Sequence, residues 1–243
     1  MPLPGSLIVA SYNVHSCVGY DGRLDPGRVA DVIRKLDADV IALQEVDARE
    51  RRDGYLDQWK FLAEASGYDC IPGISLRTHR NVFGNALLTR IKPLSVKLHD
   101  LSVEKREPRG AIEAEIVVDG NHLRVIATHL GLKWRERRRQ VESLLEVVGP
   151  PQRPTSRSAA TILLGDLNEW RPRATSIERL LKRFDPAPAI GTFPAPYPLL
   201  PLDRILVEGG MKLVDLRTVR SSPARLASDH APVRAALDWA FVH

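Results

Sequence analysis

The sequence predicts a mixed α/β protein folded as one domain over residues 1–243. Three observations lead there. Runs of β-branched residues alternate with segments of helical period along the whole chain. A hairpin signal interrupts that alternation, so the strands are not all parallel. No polar linker separates two independently apolar halves, and 243 residues suit one α/β domain.

Each element rests on its own pattern. "SLIVASYN" is a short β-branched strand. "DPGRVADVIRKL" opens with Asp25 as a cap and Pro26 in the first turn, and Val29, Val32, Ile33 and Leu36 follow the i, i+3, i+4, i+7 spacing of a helix. "DVIALQEV" is a buried strand with a polar end. A helix follows around "LDQWKFLAEAS", then a strand in "NALLTR". "AIEAEIVVDGNHLRVIATHL" is two strands joined at Asp119-Gly120. "KWRERRRQVESLLEVV" is a helix with Val141, Leu144, Leu145 and Val148 on its core face. "GPPQRPTSRSAA" is an exposed, mobile loop. After "TILLGD" come a short helix near "SIERLLKRF", the Pro-rich loop "DPAPAIGTFPAPYPLLP", and closing strands in "DRILV", "KLVDLRTV" and "APVRAALDW".

Composition narrows the function classes. Hydrophobic residues are 44% and charged residues 27%, ordinary for a packed globular chain. A net charge of +5 permits a polyanionic partner without specifying one. Two cysteines, Cys17 and Cys70, are too few for a disulfide framework or a thiolate metal cage. The N-terminal residues lack the basic start and long apolar core of a signal peptide, and no segment reaches the ~18 apolar residues of a membrane span. The expectation is a cytoplasmic protein with no integral membrane association; no protein partner is implied.

The chemistry collects where the strands end. "TILLGDLNEW" stops a greasy run at Gly165 and follows it with Asp166 and Asn168. Alone, Gly-Asp-x-Asn is also an ordinary turn, in which short polar side chains bond their own backbone. The same placement recurs, however. Asn13 follows the first strand, Glu45 ends "VIALQE", His129 ends "LRVIATH", Asp203 opens "DRILV", and Asp229-His230 precede the last strand. Strand ends are where α/β enzymes gather reactive groups.

Taken in order, "SYNVH", "ADVIALQEVD", "GNALLTR", "ATHL", "LLGDLNE", "PLDRILV" and "SDHAPV" resemble the motif set of the endonuclease/exonuclease/phosphatase superfamily, from about residue 7 to 238. The resemblance implies a four-layered α/β sandwich, with two packed, mostly antiparallel β-sheets flanked by helices. It also implies hydrolysis of a phosphate ester with a divalent metal, usually Mg²⁺, for which Mn²⁺ can substitute.

Physical chemistry gives the matched residues tasks. Phosphoester cleavage needs an activated water, neutralisation of the phosphoryl oxygens and stabilisation of the leaving oxygen. A hard cation prefers carboxylate and amide oxygens. By resemblance Glu45 is the principal metal ligand, with Asn13 and Asp229 completing or bordering the site. Asp166 orients or deprotonates the attacking water, and Asn168 holds a phosphate oxygen or the metal shell, with Gly165 before them letting the backbone turn sharply so that both side chains face one point. His230 matches the catalytic histidine and Asp203 its carboxylate partner, which would fix the tautomer and favour the imidazolium. His129 matches a second phosphate-contacting histidine, and which histidine is the acid stays open. Asn85 fits a position near the site. His15, His79, Arg80 and Arg109 are candidates for the substrate mouth, though each also suits a local structural role.

The substrate is expected to be a small or lipid-linked phosphoester, because the segments between motifs are short. Arg77, Arg80 and Arg171 are expected to rim a pocket. A nuclease is the alternative, drawing on the basic charge, Trp134 and the run "WRERRRQ"; nucleic acid is a possible but not favoured partner. A non-catalytic phosphate-binding module is the alternative of another class, and intact Glu45, Asp166, Asp203 and His230 argue against it.

Overall fold

The computed structural model describes residues 6–51, 54–79, 81–150, 159–171 and 174–240. Twelve strands and four α-helices occur among them in the order β1 (Leu7–Asn13), α1 (Pro26–Leu36), β2 (Val40–Arg51), β3 (Gly54–Asp57), α2 (Gln58–Ser66), β4 (Asp69–Arg77), β5 (Asn81–Thr89), β6 (Ser95–Asp100), β7 (Gly110–Val118), β8 (Asn121–His129), α3 (Trp134–Val148), β9 (Ala159–Asp166), α4 (Glu178–Leu181), β10 (Asp203–Gly209), β11 (Met211–Thr218) and β12 (Val233–Trp239). Asp25 caps α1 by accepting the Arg28 N–H, as Pro26 and the apolar period predict.

The strands form two sheets. One runs β11-β12-β1-β2-β5-β4, with β3 paired to β2; the other runs β10-β9-β8-β7-β6. Only β1–β2 and β8–β9 pair in parallel; the other strand pairs are antiparallel. Period-two alternation separates the layers. Leu7, Val9, Val40, Ala42 and Leu87 of the first sheet meet Ile112, Val125, Ile162, Leu164 and Ile205 of the second. On the first sheet's outer face Ile8, Ala10, Ile41 and Leu43 pack against Val29, Val32 and Ile33 of α1 and Leu62 of α2. On the second sheet's outer face Ile126, Leu163 and Leu206 pack against Val141 and Leu144 of α3 and Leu180 of α4. The result is the four-layered sandwich.

Several expectations need correction. β4 and β6 carry weak alternation with Pro, Gly and charged residues, and were not anticipated as strands. Arg77, expected on a pocket rim, ends β4, which pairs with β5 down to Arg77 and Val82. The segment around Glu45 does not end a strand, since β2 continues to Arg51 and pairs with β3 and β5 beyond it. Asn85 lies within β5 rather than at its start. Gly165 makes no turn. It sits inside β9 at φ 150°, where a Cβ would lie 1.9 Å from the Thr128 carbonyl oxygen, so its need is close approach of β9 to β8. The Pro/Ser/Arg loop lies mostly, and Arg80 wholly, outside the described residues.

Candidate active site

The alternation that builds the core also delivers the site. On β1 the inward series Leu7, Val9, Ser11 continues to Asn13; on β8, Val125 and Ala127 continue to His129; on β9, Ile162 and Leu164 continue to Asp166. β8 and β9 run parallel with His129 opposite Asp166. β10 runs antiparallel to β9, so its first residue, Asp203, also pairs with Asp166. β12 runs antiparallel to β1 with Val233 opposite Ser11, which brings His230 to the same end of the sandwich. Residues up to 217 positions apart therefore converge because five strands end together.

Glu45 arrives differently. The β2–β5 register shifts between Leu43 and Val46, and Glu45 has φ 58°. Leu43 and Val46 both pack in the outer layer, so the bulge absorbs an extra residue and re-aims the Glu45 side chain toward the inner end. There its Oε1 accepts from Asn13 Nδ2 at 3.0 Å. The same Asn13 amide donates to Asp166 Oδ2 at 3.1 Å, while Asn13 Oδ1 accepts the His15 N–H at 3.0 Å. The amide nitrogen, rather than the oxygen expected of a metal ligand, thus lies between the two carboxylates.

Asp166 is the hub. Its Oδ2 lies 3.5 Å from His129 Nε2 and 3.8 Å from His230 Nε2. Its Oδ1 accepts the Asn168 N–H at 2.8 Å, and Asn168 has φ 51°. The local turn and the site are therefore the same structure: the Asx turn swings the Asn168 amide back to Leu130 O at 2.9 Å and His129 Nε2 at 2.9 Å. Arg109 Nη1 lies 3.3 Å from His129 Nδ1 and 2.9 Å from Glu107 Oε1, with the Arg109 Nε buried and unbonded. Sequence reasoning left Arg109 between mouth and surface; the structure buries it beside the second histidine.

The two histidines are electrostatic opposites. Burial would lower the pKa of His230, but Asp203 Oδ2, accepting from Nδ1 at 2.8 Å, together with Asp166 and Asp229, overrides it and pushes the imidazole up to about 10. Burial holds His129 well below its ordinary value, helped by the Arg109 and His230 cations. Burial and the Asp203 charge push Asp166 up to about 6, against the pull of His230, Asn13 and the Asn168 N–H. Asp166, Asp203 and His230 bring one ligand atom each within 4.8 Å of one another, a spacing a metal could use. In the metal-free protein the protonated His230 pairs instead with both carboxylates.

The remaining expected residues fall around this centre. Asp229 is part-exposed, with Oδ1 3.7 Å from His15 Nδ1 and 3.3 Å from Ser228 Oγ. Asn85 donates to Gly110 O at 3.3 Å, tying the two sheets together; no bond joins it to the Asp166 group. His79 and Arg77 are exposed at the end of the β4–β5 hairpin. Arg171 is bonded through Nε to Glu169 Oε1 at 3.0 Å. Two positioning residues were missed. Ser228 receives the His230 N–H at 3.2 Å and donates to Asn13 O at 2.7 Å, joining the last motif to the first. Its only sequence signal was its place in "SDH". Phe193 packs on the His230 ring at 5.1 Å between centroids, and nothing in the sequence marked it.

The endonuclease/exonuclease/phosphatase family profile matches residues 10–230, which spans every residue of the cluster. The chain belongs to this family. Family members are typically phosphoester hydrolases. The uncharacterized protein YbhP of Escherichia coli is 30% identical over 253 aligned positions that cover 95% of either chain. An endonuclease/exonuclease/phosphatase structure from Beutenbergia cavernae superposes with a TM-score of 0.79 at 24% identity, over 96% of this chain and 72% of that one. A mannosyl-6-phosphatase from Bacteroides thetaiotaomicron superposes with a TM-score of 0.69 at 18% identity, over 96% of this chain and 100% of that one. At these identities the two superpositions speak for the fold.

Proposed function

We infer that this family member is a divalent-metal-dependent phosphoesterase, a single catalytic domain acting on a small or lipid-linked phosphoester. The observation that carries the reading is the convergence of Asn13, His129 and His230 on one oxygen of Asp166, with Asp203 bonded behind His230. A non-catalytic module has no need of a buried carboxylate held near neutrality between a neutral and a cationic histidine.

The donor set fits a hard cation. Glu45 and Asp166 present carboxylate oxygens on either side of the Asn13 amide, and Asp229 adds a part-exposed carboxylate nearby. These residues would hold Mg²⁺, which supplies charge neutralisation at the phosphoryl oxygens. The chain's own groups do the rest. Asp166, ionised, accepts the proton of the attacking water. His230, kept protonated by Asp203, neutralises charge on the phosphoryl group or protonates the leaving oxygen. His129 is neutral, and because Arg109 can only donate to its Nδ1, the ring proton sits on Nε2, where it is placed to donate and orient.

Hydrolysis of a panel with and without Mg²⁺ tests the reading: a chromogenic phosphodiester, lipid head-group diesters, inositol phosphates, a sugar phosphate, and plasmid and single-stranded DNA. The expected result is metal-dependent turnover of a small or lipid-derived ester and poor cleavage of duplex DNA. Exposed Trp134 and Trp170 are the specific support for a nuclease; efficient, salt-sensitive plasmid nicking abolished by His230→Ala would establish that alternative.

A further inference from the structure

The three most exposed large apolar side chains among the described residues are Leu199 (77%), Tyr197 (75%) and Leu132 (70%). Lone exposed leucines are ordinary on a soluble surface. These three are not scattered. Leu132 lies on the connection that leaves β8 just after His129. Tyr197 and Leu199 lie on the connection that enters β10 at Asp203. That second connection is fastened to the site: the Ala195 N–H donates to Asp229 O at 2.7 Å, and Phe193 packs on His230. Trp134, the first residue of α3, and Trp170, on the connection after Asp166, are about half exposed. Tyr20 and Leu226, joined by a backbone bond of 3.0 Å, sit on the connections beside Asn13 and Ser228. All of these segments leave strands at the end of the sandwich where Asp166 lies.

The rim is also cationic. Lys133 and Arg135 are exposed beside Leu132 and Trp134, and Arg135 lies over the Trp134 ring at 5.2 Å, while Arg171, exposed beside Trp170, is paired with Glu169. On the same face Asp21 is already paired with Arg28 at 2.9 Å. Tryptophan and tyrosine with an apolar body and a polar tip, leucines that reach further into solvent, and interleaved basic groups are the chemistry of a lipid–water boundary. A nucleic-acid platform calls for aromatic faces and cations; exposed Leu132, Leu199 and Leu226 have no base to stack on, whereas acyl chains accept them.

We propose that this rim is an interfacial docking surface for an anionic phospholipid bilayer, and that the site draws its phosphoester from the headgroups of that bilayer. The proposal rests on the phosphoesterase reading and names its substrate class. Asp166 and His230 are buried at the strand ends from which these segments leave. A headgroup can descend to them while its acyl chains stay in the membrane, so binding does not require extraction of the lipid.

Vesicle sedimentation in EDTA separates docking from turnover. Vesicles of phosphatidylcholine with about one-third phosphatidylglycerol should bind the protein, and pure phosphatidylcholine at least fivefold less, as expected where basic groups meet an anionic surface. Acyl-chain-brominated lipids should quench the fluorescence of the exposed tryptophans. Leu132→Glu/Leu199→Glu should weaken vesicle binding at least tenfold while leaving hydrolysis of a soluble chromogenic diester unchanged. Vesicle binding that is absent, or unaffected by the double variant, overturns the docking surface. A band shift of single-stranded DNA by the wild type, retained in the double variant without vesicle binding, overturns it in favour of nucleic acid. Loss of chromogenic turnover in the wild type with Mg²⁺ would instead refute the phosphoesterase reading, whatever the vesicles show.

Discussion

His230 lies between two carboxylates, with Nδ1 2.8 Å from Asp203 Oδ2 and Nε2 3.8 Å from Asp166 Oδ2. One contact is a bond and the other is open to a ligand, so the ring has a fixed back and a working front. Asp203→Asn keeps the shape and removes the charge behind the ring. Turnover should fall by roughly 10²–10⁴-fold, the range of a positioned acid, with unchanged circular dichroism. The wild-type alkaline limb should lie near the raised value of about 10 and move down in the variant. An unmoved limb would mean that His230 does not carry the essential proton.

Asp166 is expected to be required and destabilising at once. Its carboxyl is pushed up to about 6, above its unfolded value, so the native state binds that proton more tightly than the unfolded chain. Ionising it therefore costs stability as pH rises from about 4 through 6. In EDTA at pH 7.5, Asp166→Asn should raise the melting temperature, by about 2–4 °C for each kcal/mol relieved, and the gain should vanish near pH 4. Hydrolysis should be abolished. A melting temperature lowered at pH 7.5 would show that the ionised carboxylate is well stabilised.

Metal removal tests the oxygen-donor set. EDTA should abolish turnover, and Mg²⁺ or Mn²⁺ should restore it. Glu45→Gln should raise the half-saturating metal concentration by an order of magnitude or more, and Asp229→Asn should raise it less, because Asp229 is part-exposed. Titration calorimetry on the metal-free protein gives the same ranking without an assay. Full activity in EDTA would exclude this mechanism.

Glu169 holds the segment after Asn168 in place. Its buried carboxylate accepts from Arg137 Nη2 at 2.8 Å, Ser176 Oγ at 2.6 Å and Arg171 Nε at 3.0 Å. Burial would raise its pKa, but these donors outweigh it and bring the group down to about 2. The stability it contributes is present above its ordinary range and is lost as pH falls from about 4.5 toward 2. Glu169→Ala leaves the buried Arg137 without its anion and should cost about 3 kcal/mol, read as a lower denaturation midpoint at pH 7 whose deficit shrinks at pH 3. An equal deficit at both pH values would assign the loss to packing.

What the sequence determined by itself was the chemistry and its approximate address. Alternation is a local property, so a run such as Ile162, Leu164, Asp166 fixes both the buried face and the polar end of a strand without any knowledge of its neighbours. Five such ends, of β1, β8, β9, β10 and β12, do meet at Asp166; the four-layered fold itself was implied by the resemblance of the ordered motifs. Glu45 shows where that logic fails. By alternation it belongs to the outer face, and only a bulge imposed by pairing β2 with β5 turns it to the inner one. Asn13 shows the same limit at the level of one amide, whose nitrogen is drawn to two carboxylates contributed by other strands. The tertiary structure alone decided that His129 is held neutral, whereas the pairing of Asp203 with a protonated His230 was already implied by the resemblance. His129 and His230 are the same residue type at similar depth, yet one faces Arg109 and the other Asp203. Charge interactions depend on distance in space, and the sequence places these partners 20 and 27 positions away with no local pattern to connect them.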